Sequence, residues 1–100
     1  MNLFLISYDL KSVDRNYEGV SMVIQTAIAS MRILESVWII RTNKTIEEWR
    51  ELLKSQINTD TDLLFICQIT DSQRSGWHYR KTWDWIREQI VACNDTSVNG

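Results

Sequence analysis

Three apolar runs of strand length, spaced by segments of helical period, constrain this chain more than any other feature. The first, Asn2 to Asp9, is continuously apolar through Leu3, Phe4, Leu5 and Ile6, and reads as a central strand buried on both faces. The second, Ile33 to Thr42, holds Val37, Trp38, Ile39 and Ile40 in a row. Glu35 and Ser36 interrupt it, so that either one strand bends there or two short strands meet. The third, Leu63 to Thr70, reads as another buried strand. Between the first two, Val20, Val23, Ile24, Ala27, Ile28 and Met31 recur every three or four residues, which predicts a helix of about four turns from Asn16 onward. Thr45 and Glu48 have the spacing of a capping box, in which each side chain satisfies the other residue's backbone amide. Ile46, Trp49, Leu52, Leu53 and Ile57 then share a face of a second helix ending near Asn58. Trp83, Ile86, Ile90 and Val91 predict a third helix after a polar turn containing Gly76. Asn94 to Gly100 reads as a polar tail, with 1–93 as a single domain.

Strand, helix, strand, helix, strand at this spacing predicts an α/β (α+β) sandwich with helices stacked on one face of a small sheet. The right-handed crossover rule makes the first and third strand runs neighbours in a ferredoxin-like βαββαβ arrangement with an additional C-terminal helix. One hundred residues, 44% apolar and 24% charged, suit one domain. A domain of this size buries only about two thirds of its unfolded surface, so self-association is an expected source of further stability.

The net charge of −2 gives no basic field of the kind that drives non-specific nucleic-acid binding, so any such role rests on a local patch. Cys67 and Cys93 lack a CxxC partner or a histidine at zinc spacing, which argues against a thiolate metal site. The first apolar run is too short to span a bilayer and carries no charged lead or cleavage signal. The expectation is a cytoplasmic protein with reduced thiols and no membrane partner.

Tyr8-Asp9 closes the first strand and opens a polar turn through Lys11, Ser12, Asp14 and Arg15. A carboxylate at the carboxyl end of a buried strand has rigid support, which suits a reactive group. An Asp in that place also starts turns or approaches a helix N-terminus, and a lone Asp does not decide between the two. His78, the only histidine, reads as a turn residue or a general base. Cys67 inside a strand reads as an inert thiol, and Asp60, Asp62 and Asp71 read as solvated loop charges that could also add to a cation site. Trp77, Trp83 and Trp85 interleave with Arg80, Lys81 and Arg87. Trp83 falls on the apolar stripe, leaving Trp77 and Trp85 for interface packing or base stacking.

Leu-Ile-Ser-Tyr-Asp-Leu at 5–10, Arg-Asn-Tyr at 15–17, Glu-Ser-Val-Trp at 35–38 and Leu-Phe-Ile-Cys-Gln-Ile-Thr at 64–70 together resemble the small CRISPR-associated Cas-two family. Gly76-Trp77 and Trp83-Asp84-Trp85 look like the tail of its free-standing, SinR-like relatives, and VapD-like endoribonucleases use a related dimeric scaffold. The resemblance implies a ferredoxin-like homodimer with one Asp9 from each copy facing the other across the axis. It further implies a magnesium ion at Asp9 as metal ligand and catalytic residue, and nuclease activity on RNA or DNA. Some members of the family serve instead as architectural dimers. Tyr8, Lys11, Arg15, Trp77, Arg80, Lys81 and Trp85 are the expected contacts to nucleic acid or partner. Two close carboxylates repel until a proton or a hard cation joins them, which is the physical basis of such a site. The slightly acidic chain, with one such carboxylate per copy, also suits a non-enzymatic dimer that binds a protein partner, as an assembly subunit or inhibitor would.

Overall fold

The computed structural model describes residues 1–71 and 73–94. Its elements run β1 (Asn2–Asp9), α1 (Tyr17–Ile24), β2 (Ala29–Leu34), β3 (Val37–Thr42), α2 (Ile46–Lys54), β4 (Leu63–Gln68) and α3 (Arg80–Asn94). The four strands form one antiparallel sheet in the order β2-β3-β1-β4. The first and third apolar runs are neighbours, as expected, and pair antiparallel with Ser7 opposite Phe65 and Asp9 opposite Leu63.

Alternate side chains of β1 feed two cores on opposite faces, because successive residues of a strand point to opposite sides. Phe4, Ile6 and Tyr8 join Trp38 and Ile40 of β3 under α1 (Val20, Ile24) and α2 (Trp49, Leu53). Leu3 and Ile39, on the other face, meet Ile86 and Ile90 of α3. The helices therefore do not all stack on one face, contrary to the sequence expectation. An apolar stripe requires that a helix be covered, but it does not say which side of the sheet covers it.

Two further expectations are corrected. Helix α1 has two turns rather than four: it stops at Ile24, where Thr26 Oγ1 donates to the Val23 carbonyl at 2.6 Å and the Ala27 amide to that of Ile24 at 3.1 Å. Met31, assigned to its stripe by spacing, lies in β2 opposite Ile39. The ladder to β3 outweighs the helical period, and Leu34 and Val37 pair across the two-residue Glu35-Ser36 turn. The interrupted second run is thus the end of one strand and the whole of another. Strand β4, for its part, is an edge strand with Leu63 and Phe65 exposed, not a buried one.

The capping box forms as the sequence predicts, with Thr45 N–H to Glu48 Oε1 and Glu48 N–H to Thr45 Oγ1 both at 3.1 Å. Gly19 leaves room for the Asn16 side chain, which caps α1 and donates to the Gln56 carbonyl at 3.1 Å, tying the start of α1 to the end of α2. A Cβ at Gly19 would lie 2.3 Å from Asn16 Nδ2. Of the expected tail, Asn94 is the last residue of α3 and the rest lies outside the described residues.

Candidate functional site at the open half of the sheet face

Helix α3 covers only part of the second sheet face. Residues opposite one another in an antiparallel pair share a face, so Leu63, Phe65, Ser7 and Asp9 stand together on the part that α3 leaves open. Leu63 is 56% and Phe65 62% exposed, an uncommon state for two large apolar side chains in adjacent positions on one strand face. Asp9 lies at the edge of this patch, its side chain 62% exposed, with Lys11 Nζ 3.8 Å from its Oδ2.

The chain beyond Asp9 is held by Asp62, which is 7% exposed. Its Oδ1 accepts from the backbone N–H groups of Lys11 (2.7 Å) and Ser12 (2.8 Å), and its Oδ2 from that of Asn58 (2.9 Å). The Asn58 amide chiefly, then those of Ser12 and Lys11 with the Ser12 hydroxyl, hold the Asp62 carboxyl below its usual range against the opposing effect of burial. Asp62 is therefore not a solvated loop charge. It locks the turn that carries Lys11 to the start of β4, and so fixes the backbone that follows Asp9. Asp60 remains exposed, its amide bonded to Asn58 Oδ1 at 3.0 Å, and Asp71 pairs with Arg74 at 3.8 Å.

The other expected contact residues divide. Tyr8 points away from Asp9 into the first core, where its hydroxyl accepts from Trp38 Nε1 at 3.0 Å, so its ring is not on the surface where a partner contact was expected. Arg15 is exposed, with φ of 37°, and turns the chain into α1. Trp77 is 96% exposed. Trp85 is half-buried against the Leu3–Ile39 core, as is Trp83. Arg80 and Lys81 open α3 at solvent, with Lys81 Nζ 6.0 Å from the centre of the Tyr79 ring.

His78 is occupied at both ring nitrogens. Its Nδ1 accepts the Tyr79 amide at 2.8 Å, which leaves the proton on Nε2 to donate to the Ile33 carbonyl. It pins the segment before α3 to the edge strand β2, and a ring so placed has no nitrogen left to act as a base. Cys67 stands half-buried opposite Leu5 in β4.

No known family's sequence profile matches the chain. No curated protein matches it either. Among solved structures, the crystal structure of a hypothetical protein TT1823 from Thermus thermophilus aligns with a TM-score of 0.60 at 16% identity, over 78% of this chain and 94% of that one. The two proteins share an α+β fold.

Proposed function

We propose that this chain is a ferredoxin-like, Cas-two-like protein that pairs with a second copy through the open half of its sheet face, bringing two Asp9 carboxylates together as a magnesium site for hydrolysing RNA or DNA. The observation that carries this reading is the placement of Asp9 at solvent beside the exposed Leu63 and Phe65. Fully burying one side chain of this size is worth about 1.5–3 kcal/mol, and a twofold contact counts each residue twice.

One chain alone does not suit a divalent ion. Among the described residues no group of three His, Cys, Asp or Glu side chains could hold one, and the nearest charge to Asp9 is the Lys11 ammonium. Two Asp9 carboxylates suit it better, because magnesium binds through one or two carboxylates and keeps several waters. Once bound there, the ion would polarise a phosphate and acidify a water. Lys11 would offset phosphate charge next to it, and Asp62 would keep that lysine's backbone in place. The test is cleavage of single-stranded RNA and of DNA with magnesium or manganese, comparing the natural chain with Asp9→Asn at equal stability. Metal-dependent cleavage at least a hundredfold weaker in the variant is expected on the scale of a lost essential group, roughly 10² or more; no cleavage by the natural chain, or cleavage indifferent to Asp9, removes the nuclease reading.

A second reading, a non-enzymatic dimer that binds a protein partner, is favoured by the fully solvated Trp77 and by the lysine already beside Asp9. It predicts a specific partner whose capture survives Asp9→Asn and is lost with Trp77→Ala.

A further inference from the structure

Two hydrogen bonds fix which way each backbone group of β4 points. The Ile69 amide donates to the Leu3 carbonyl at 2.8 Å, and the Tyr8 amide to the Ser36 carbonyl at 3.2 Å. Directly opposed residues of an antiparallel ladder alternate between bonded and non-bonded pairs. Leu5, Ser7 and Asp9 of β1 therefore bond to Cys67, Phe65 and Leu63 of β4, while Phe4, Ile6 and Tyr8 bond toward β3. The amides and carbonyls of Leu64, Ile66 and Gln68 point the other way, off the edge of the sheet, and no group among the described residues bonds to them.

The two edges of the sheet differ. By the same alternation Ser30 and Arg32 of β2 point outward, but that edge carries the Arg32 charge, a break in register between Arg32 and Leu34, and His78 bonded to the Ile33 carbonyl. Charges, bulges and covering groups are how edge strands are kept from pairing with another chain. Strand β4 has none of these devices: Leu63–Gln68 holds no charged residue or proline, and its register to β1 is unbroken. Beside it lies a depression of about 210 Å³ lined by Ile46, Glu47 and Arg50 of α2 with Leu64 and Ile66. Side chains of an added strand opposite Leu64 and Ile66 would share their face and come to this depression. Glu47 and Arg50 bring opposite charges to it, which favours an uncharged apolar side chain between them. The carboxyl end of an antiparallel segment comes to the start of β4, where Asp60 is exposed and in no ion pair among the described residues, so a basic residue suits that end.

We propose that the β4 edge receives an extended segment of a partner polypeptide, added antiparallel over the span of Leu64 to Gln68, with apolar side chains at alternate positions and a basic residue at its carboxyl end. Such addition takes its affinity from main-chain bonds and its choice of partner from alternate side chains. The site is on the rim of the sheet rather than on the open face around Asp9, and it does not depend on the nuclease reading. The test titrates the full isotope-labelled chain with the peptide acetyl-Lys-Thr-Val-Thr-Val-Thr-Val-Lys-amide, whose valines match Leu64, Ile66 and Gln68, and with the same peptide N-methylated at its valines. Methylation keeps the side chains and removes the donors that face β4. Saturable binding of one peptide per chain is expected, with the Leu64, Ile66 and Gln68 amides protected from hydrogen exchange and the outward amides of Ser30 and Arg32 unchanged. The methylated peptide should bind at least roughly tenfold more weakly, the scale of several net hydrogen bonds. Non-saturable binding, equal affinity for the two peptides, or protection confined to other amides would overturn the proposal. So would protection of the same three amides that grows with chain concentration in the absence of peptide, because the occupant would then be a second copy.

Discussion

A single side chain, Asp62, holds together the part of the chain on which the candidate site depends. Its two oxygens accept only from donors, three of them backbone amides, so asparagine in its place would set its own NH₂ against an amide whichever way it turned. Because folding lowers its pKa, the carboxylate's contribution is fully present above the ordinary value of 3.8 and is lost as the pH falls through the lower folded value. Asp62→Asn should therefore lower the denaturation midpoint at neutral pH, with the gap to the natural chain narrowing as the pH drops below 3.8, measured by urea unfolding across a pH series. The sequence hides this role, since an aspartate between a helix and a strand looks the same whether its oxygens face water or amides. Asp9 is the reverse case. Its place at a strand end, opening a polar turn, was legible, whereas its exposure, Lys11 beside it and the turned-in Tyr8 depended on the rotamers and register that only the fold supplies.

Among the elements, α2 was the most legible, because a capping box and an apolar stripe agree on the same start. Thr45→Ala should cost about 1 kcal/mol, read by chemical denaturation, through loss of the bond to the Glu48 amide. Trp49 anchors the same helix, fully buried, with its Nε1 donating to Thr42 Oγ1 at 3.0 Å. Trp49→Ala should cost about 3–5 kcal/mol, enough to unfold much of a chain this size. Helix α1 and β2 were the least legible. Ala27, Ile28 and Met31 fit a helical period by number, but β2 pairs with β3 at five of its residues, Met31 among them, and that ladder settles the strand. Strand β4 misled in another way: a continuous apolar run reads as buried on both faces, and at the sheet edge the side carrying Leu63 and Phe65 has no cover within the chain.

At the scale of the whole molecule, alternation of strand and helix was enough to give the layered α+β plan and the pairing of the first and third runs. It could not give the placement of α3, and that placement decides which half of the second sheet face is closed over a cavity and which is left open around Asp9. The open half is where the account expects a second copy, so that the residues one chain leaves exposed become the interior of a pair. The most direct measurement places a cysteine at position 9 in a Cys67→Ser, Cys93→Ser background and treats it with a short bismaleimide, with Glu47→Cys, exposed on α2 at the opposite face, as the control. Efficient covalent dimer formation through position 9 and none through position 47 is the predicted result. Failure of position 9 to cross-link under conditions where the maleimide fully labels it, or equal cross-linking through both positions, would contradict the account.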